Sequence, residues 1–198
     1  MWHQETDLGE RLRTMSVTGT SSDGAIQATV TGENRLELRF RARTYQWYDD
    51  RGLARQLSAL GTSTWVVWTR RRAEITRLAL GQSRGEAEQN RRRAGDPRAQ
   101  RFAEELQELG CEGISPGGCV HLRLTGATRW QVEIVEGTVR DTSERFFVQE
   151  AVSAFDAVIR DRTAKLALLR GEYFDIGVPR NWIDQAGPDG AWISRRSG

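Results

Sequence analysis

Apolar and polar residues alternate along residues 25–31 and 35–41. Ile26, Ala28 and Val30 fall on one side, and Gln27, Thr29 and Thr31 on the other. Leu36, Leu38 and Phe40 likewise oppose Arg35, Glu37, Arg39 and Arg41. A period of two is that of a strand with one face buried and one wet. A third short strand is expected at 17–20. Asp23-Gly24 suits the first hairpin turn, and Gly32-Glu33-Asn34 forms the second. The period then changes to three or four. Leu53, Leu57, Leu60, Trp65, Val67, Trp68, Ile75, Leu78 and Leu80 predict a long helix over 51–80, with Asp49 or Asp50 as its N-cap. Gly61-Thr62-Ser63-Thr64 is its weak point, where a kink is expected. Ahead of the strands, Leu8, Leu12 and Met15 mark one face of a short helix over 4–15, which Gly9 weakens.

The same order then returns. Asp96-Pro97 starts a helix over 98–109 with Phe102, Leu106 and Leu109 as its stripe. Strands follow at 111–115, 119–125 and 129–135. Val120, Leu122 and Leu124 point inward, as do Trp130, Val132 and Ile134. A second long helix covers 143–169 through Phe147, Ala151, Val152, Phe155, Val158, Ile159, Leu166 and Leu169. Thr142-Ser143 caps it and Gly171 is expected to stop it. The stretch 17–40 appears a second time about 94 residues later, at 113–134, and the positions that follow pair at an offset of 94 without a gap. Gly24 falls on Gly118, Thr31-Gly32 on Thr125-Gly126, Arg35 on Arg129, Leu38 on Val132 and Phe40 on Ile134. The expected fold is α+β: two repeats of helix, three-stranded antiparallel meander and long helix, packed as an intramolecular pseudo-dimer. The repeats span 1–80 and 98–170. A charged linker covers 81–97, and an irregular tail covers 171–198.

Composition narrows the class. The chain has 198 residues, 38% hydrophobic and 28% charged, which fits a soluble globular protein. No run reaches the roughly 18 apolar residues of a membrane span. The polar, acidic opening is not expected to be a signal peptide, so the cytoplasm is the expected location. A net charge of +2 decides little; its distribution matters more. Arginines cluster at Arg70-Arg71-Arg72, Arg91-Arg92-Arg93 and Arg195-Arg196, and Lys165 is the only lysine. A GC-rich genome produces that skew, and guanidinium groups also suit phosphate contacts. Cys111 and Cys119 are expected to be free, small core residues. With His3 and His121 the only histidines, no metal site is expected. No Gly-rich phosphate loop or Ser-His-Asp set is present, so neither an enzyme nor a cofactor is expected. Asp49, Asp50, Asp156 and Asp161 lie on predicted helices or caps, as solvated carboxylates do.

The segment VTGTSSDGAIQATVTG followed by RLELRF resembles the YbaB/EbfC family of nucleoid-associated DNA-binding proteins. The shared pattern is a valine-rich first strand, a glycine turn, a second strand ending in a small residue and Gly, a third strand and an acidic cap before the last helix. Residues 17–75 carry it, and 98–169 follow the same outline. The family forms homodimers, so this chain looks like two copies fused. The resemblance implies DNA binding through phosphate contacts. Arg70, Arg71, Arg72, Arg91, Arg92 and Arg93 are the candidates. A similar unit also occurs in accessory proteins of actinobacterial type VII secretion systems. That likeness implies the alternative, a protein-binding or chaperone-like module. Its candidate residues are Tyr45, Trp47, Tyr48, Trp182 and Trp192. The first three form either a surface patch or a cover for the sheet edge, the latter being preferred.

Overall fold

The computed structural model describes residues 2–79, 81 and 97–174, with side chains from residue 8 onward. Helix α1 (Trp2–Thr14) leads into β1 (Ser16–Thr20), β2 (Ile26–Thr31) and β3 (Leu36–Phe40). A 3-10 turn (Tyr45–Trp47) precedes α2 (Asp50–Ala79). Then follow α3 (Pro97–Glu108), β4 (Gly110–Ile114), β5 (Val120–Thr125), β6 (Arg129–Ile134), the single-turn α4 (Thr138–Asp141) and α5 (Glu144–Tyr173). The strands form two three-stranded antiparallel meanders, β1-β2-β3 and β4-β5-β6. The fold class is therefore α+β, and both halves run through the same element order. Among the described residues, no helix is long and apolar enough to cross a membrane.

Local chemistry explains the meanders. Gly24 and Gly118 sit at φ 71° and 69°, conformations that side chains resist, so each turn needs its glycine. Ser21 and Ser115 brace these turns. Their backbone N–H groups donate to the Ile26 and Val120 carbonyls at 2.9 Å. Their hydroxyls accept from the N–H groups of the same residues, at 2.9 and 3.1 Å. The register pairs Ala28 with Leu38 and Leu122 with Val132, so the alternating apolar residues fall on one face of each sheet.

Several element ends differ from expectation. The Gly61–Thr64 stretch does not interrupt α2, which continues to Ala79. Small residues are needed there because the helix lies close to β6. A Cβ on Gly61 would stand 3.2 Å from the Trp130 Cβ. Gly171 does not stop α5, which runs on to Tyr173. The Tyr173 hydroxyl donates to Glu105, and Phe102 on α3 meets Tyr173 and Phe174, so packing carries the helix past its glycine. The charged segment 82–96 and the tail from 175 lie outside the described residues.

Each long helix touches both sheets. Helix α2 lies against β1 and β2 of its own sheet and against β6 of the other. Helix α5 lies against β4 and β5, and against β3. The crossing over each first strand needs a glycine. A Cβ on Gly19 would overlap the Thr64 hydroxyl, and one on Gly113 would stand 2.6 Å from the Val158 backbone nitrogen. Aromatic rings join the halves: Trp65 stacks on Trp68 at 4.7 Å and meets Trp130 edge-on at 5.5 Å, and Trp130 stacks on Phe155 at 5.3 Å. At the other end, Phe40 and Tyr45 meet Phe147, which is fully buried.

A cavity of about 60 Å³ remains between these layers, lined by Leu38, Leu57, Thr64, Leu122, Trp130 and Phe155 among others. The Thr64 hydroxyl is buried and has no hydrogen-bond partner among the described residues. An unmet buried hydroxyl costs about 1–3 kcal/mol. Position 158, at the offset of 94, carries valine. Thr64→Val is expected to raise stability by about 1 kcal/mol in urea titrations; a loss of that size would show that the hydroxyl has a partner.

Candidate nucleic-acid interface

Consecutive residues on a helix point about 100° apart, so Arg70, Arg71 and Arg72 cannot share one direction. Helix α2 separates them accordingly. Arg70 and Arg71 are exposed and pair with no acid among the described residues. Arg72 is half-buried. Its guanidinium sits 5.3 Å from the Trp68 ring centroid and donates to the Gly32 carbonyl at 3.4 Å. Trp68 Nε1 donates to the Thr31 carbonyl at 2.9 Å. Arg72 and Trp68 thus clamp the β2–β3 turn. Arg162 does the same in the second half, donating to the Gly126 carbonyl at 2.9 Å. Arg72 therefore contributes to holding its own turn, and Arg70 and Arg71 carry the open charge of the cluster. Glu74 is engaged by Arg77 at 2.6 Å. Arg91, Arg92 and Arg93 lie outside the described residues.

The aromatics of residues 45–48 divide in a similar way. Tyr45 is buried, its ring against Phe40 and Phe147 and its hydroxyl 3.0 Å from Thr142 Oγ1. Tyr48 is half-buried and donates to Asp23 Oδ2 at 2.5 Å. Burial, then the Asp23 carboxylate, pushes the Tyr48 phenol above its ordinary value. For Asp23, burial pushes upward, but bonds from Ser21, Tyr48 and the Ala25 N–H prevail and hold the carboxyl below its ordinary value. Trp47 alone of the three is largely exposed, at 72%. Trp182 and Trp192 lie outside the described residues.

The thiols serve packing. Cys111 is buried and Cys119 half-buried, and neither is in a disulfide. Burial raises both thiols above their ordinary value, and for Cys119 the neighbouring Glu150 adds to it. A thiol so raised stays protonated at neutral pH. Glu150 is itself buried. Burial pushes it up, but Ser115, the Gly117 N–H and Cys119 prevail and hold it below its ordinary value. Its Oε2 accepts from Gly117 N at 2.7 Å, which ties the β4–β5 turn to α5.

Two carboxylates expected on solvated surfaces have structural partners instead. Asp50 accepts from Gly137 N at 2.7 Å and Val139 N at 2.8 Å, so the first residue of α2 caps the α4 turn of the other half. Asp161 Oδ2 accepts from Glu112 N at 2.9 Å on β4. Asp49 is a cap as expected, accepting from Gly52 N at 2.5 Å. Ser58 and Thr62 of α2 accept from Val132 N and Trp130 N at 2.9 and 3.1 Å, closing the edge of β6. Apart from Asp49 and Gly52, these partners lie tens of residues apart, and no local pattern marks such pairings.

The chain matches no family model, no curated protein and no solved structure.

Proposed function

We propose that the chain is a non-enzymatic, DNA-binding protein of the YbaB/EbfC type, made of two related units paired within one chain. One observation supports this most: the two halves share element bounds at the offset of 94. Ser16 and Gly110 open β1 and β4, Ile26 and Val120 open β2 and β5, and Asp50 and Glu144 open the long helices. The glycines at 19 and 113 stand at the same crossing in each unit. Each long helix also lies on the third strand of the opposite unit, and such reciprocal contact is what a two-fold pair makes.

Charge favours the first unit as the DNA-facing one, because it holds more arginines than acids while the second holds fewer. Arg70 and Arg71 contact phosphates in this reading, with little base readout and a steep salt dependence. Mobility-shift titrations on a duplex of about 30 base pairs test it. The double variant Arg70→Ala, Arg71→Ala is expected to weaken binding at low salt and to reduce the slope of log affinity against log salt by about 2. An unchanged slope, or no shift by the parent protein at low salt, would sink the reading.

A further inference from the structure

The outer edges of the two sheets are treated differently. In each meander the first strand is an outer edge. In an antiparallel ladder, alternate residues point both backbone groups toward the partner strand and the others point them away. Met15 O and Ser21 N are bonded within the first meander, so the intervening Ser16, Thr18 and Thr20 turn their N–H groups outward. By the same parity, Gly110, Glu112 and Ile114 face outward on β4.

On β4 this edge is plugged from above. Asp161 Oδ2 accepts from Glu112 N at 2.9 Å. Lys165, one turn on, holds Asp161 at 2.9 Å and donates to the Gly110 carbonyl at 2.8 Å. One carboxylate and one ammonium thus occupy an outward donor and an outward acceptor. Such covering is how sheet edges are kept from recruiting other strands.

Among the described residues, β1 has no such plug. The positions matching Asp161 and Lys165 at the offset of 94 hold Val67 and Arg71. Helix α2 crosses Gly19 as α5 crosses Gly113, so Val67 stands over β1 where Asp161 stands over β4. Val67 offers no acceptor and is 51% exposed. Ser16, Thr18 and Thr20 are exposed, and no described residue accepts from Thr18 N. The cation is kept and its acid is absent. Arg70 and Arg71 stand there without an acidic partner among the described residues.

We propose that the β1 edge is a docking site for an extended, acidic segment of a partner protein, which adds to the first sheet as a fourth strand. A carbonyl of the incoming strand accepts from Thr18 N. Its carboxylate side chains pair with Arg71 and Arg70, and its apolar side chains lie on Val67. This is strand addition, with affinity from the main chain and selectivity from the flanking charge. Charge complementarity selects the occupant: the site has a surplus cation and lacks the one carboxylate that closes its counterpart. The inference goes beyond the DNA reading and does not depend on it.

The test uses the full chain, labelled with nitrogen-15, and two capped octapeptides, one alternating Val and Asp and one alternating Val and Lys. The acidic peptide is expected to shift the Thr18 and Thr20 amides, slow Thr18 hydrogen exchange, and bind at least tenfold more tightly than the basic one. Val67→Asp restores the missing plug at i,i+4 to Arg71 and is expected to weaken peptide binding tenfold or more. Thr18→Pro removes the outward N–H, is tolerated on an edge strand, and keeps every charge. It is expected to abolish peptide binding while leaving DNA mobility shifts unchanged. Equal binding of both peptides, or full binding by Thr18→Pro, overturns the proposal. So does a Thr18 shift that follows protein concentration alone, which assigns the edge to a second copy. Displacement of the peptide by duplex DNA with the same Thr18 response also overturns it, assigning the edge to phosphate.

Discussion

Leu38→Asp is expected to unfold both halves of the chain in a single transition. Leu38 is 7% exposed at the centre of β3 and lines the cavity between the layers. A carboxylate there has no partner, and an uncompensated buried charge costs about 3–5 kcal/mol. That is a large share of the roughly 5–15 kcal/mol that holds a typical domain. The damage should not stop at the first sheet. Helix α5 of the second half lies on β3, and Phe147 packs against Phe40 at its end. Urea titrations should show the midpoint falling with the slope unchanged, with fluorescence of the Trp65–Trp130 cluster and far-ultraviolet circular dichroism moving together. A second transition surviving in the variant would make the halves separate bodies and end the paired-unit reading.

Gly113→Ala is expected to cost about 3 kcal/mol or more, at the upper end of overpacking. Its backbone is not in a left-handed conformation, so the demand is for space alone. The new Cβ would meet the Ala154 carbonyl and stand 2.6 Å from Val158 N. Both are backbone atoms of a 30-residue helix and cannot rotate away. Gly19→Ala meets chiefly the Thr64 hydroxyl, a side-chain atom with another rotamer available. The smaller loss is therefore expected at Gly19, and adding Thr64→Ala should recover part of it. Thermal melts of the three variants check the order. A loss at Gly19 equal to that at Gly113 would contradict the account.

Arg70 and Arg71 carry the DNA reading and also flank the strand-docking site, and the two readings are separable because only docking requires the Thr18 N–H. Both rest on α2, whose inward face holds Leu53, Leu57, Leu60, Trp65 and Trp68. That rigid seating fixes the outward residues over β1.

Much of this fold is legible in the chain itself. The period of two marks β2, β3, β5 and β6, because one sheet face meets the core and the other meets water. The helical period of about 3.6 marks α2 and α5 for the same reason. Asp23-Gly24 and Gly118 place their turns through backbone sterics, and Trp130 falls on the inward stripe, where it is buried. These are local properties, set by each residue and its near neighbours. What only the tertiary structure decided are the relations across long separations. It tied Arg72 to Gly32, turned Asp50 toward Gly137 and Val139, and carried α5 past Gly171 by packing. It also closed the β4 edge with Asp161 and left the β1 edge beside Val67 without such a plug among the described residues. Helical spacing alone assigns a carboxylate to a solvated face; whether a strand's free N–H lies beneath it depends on where the whole chain places that helix.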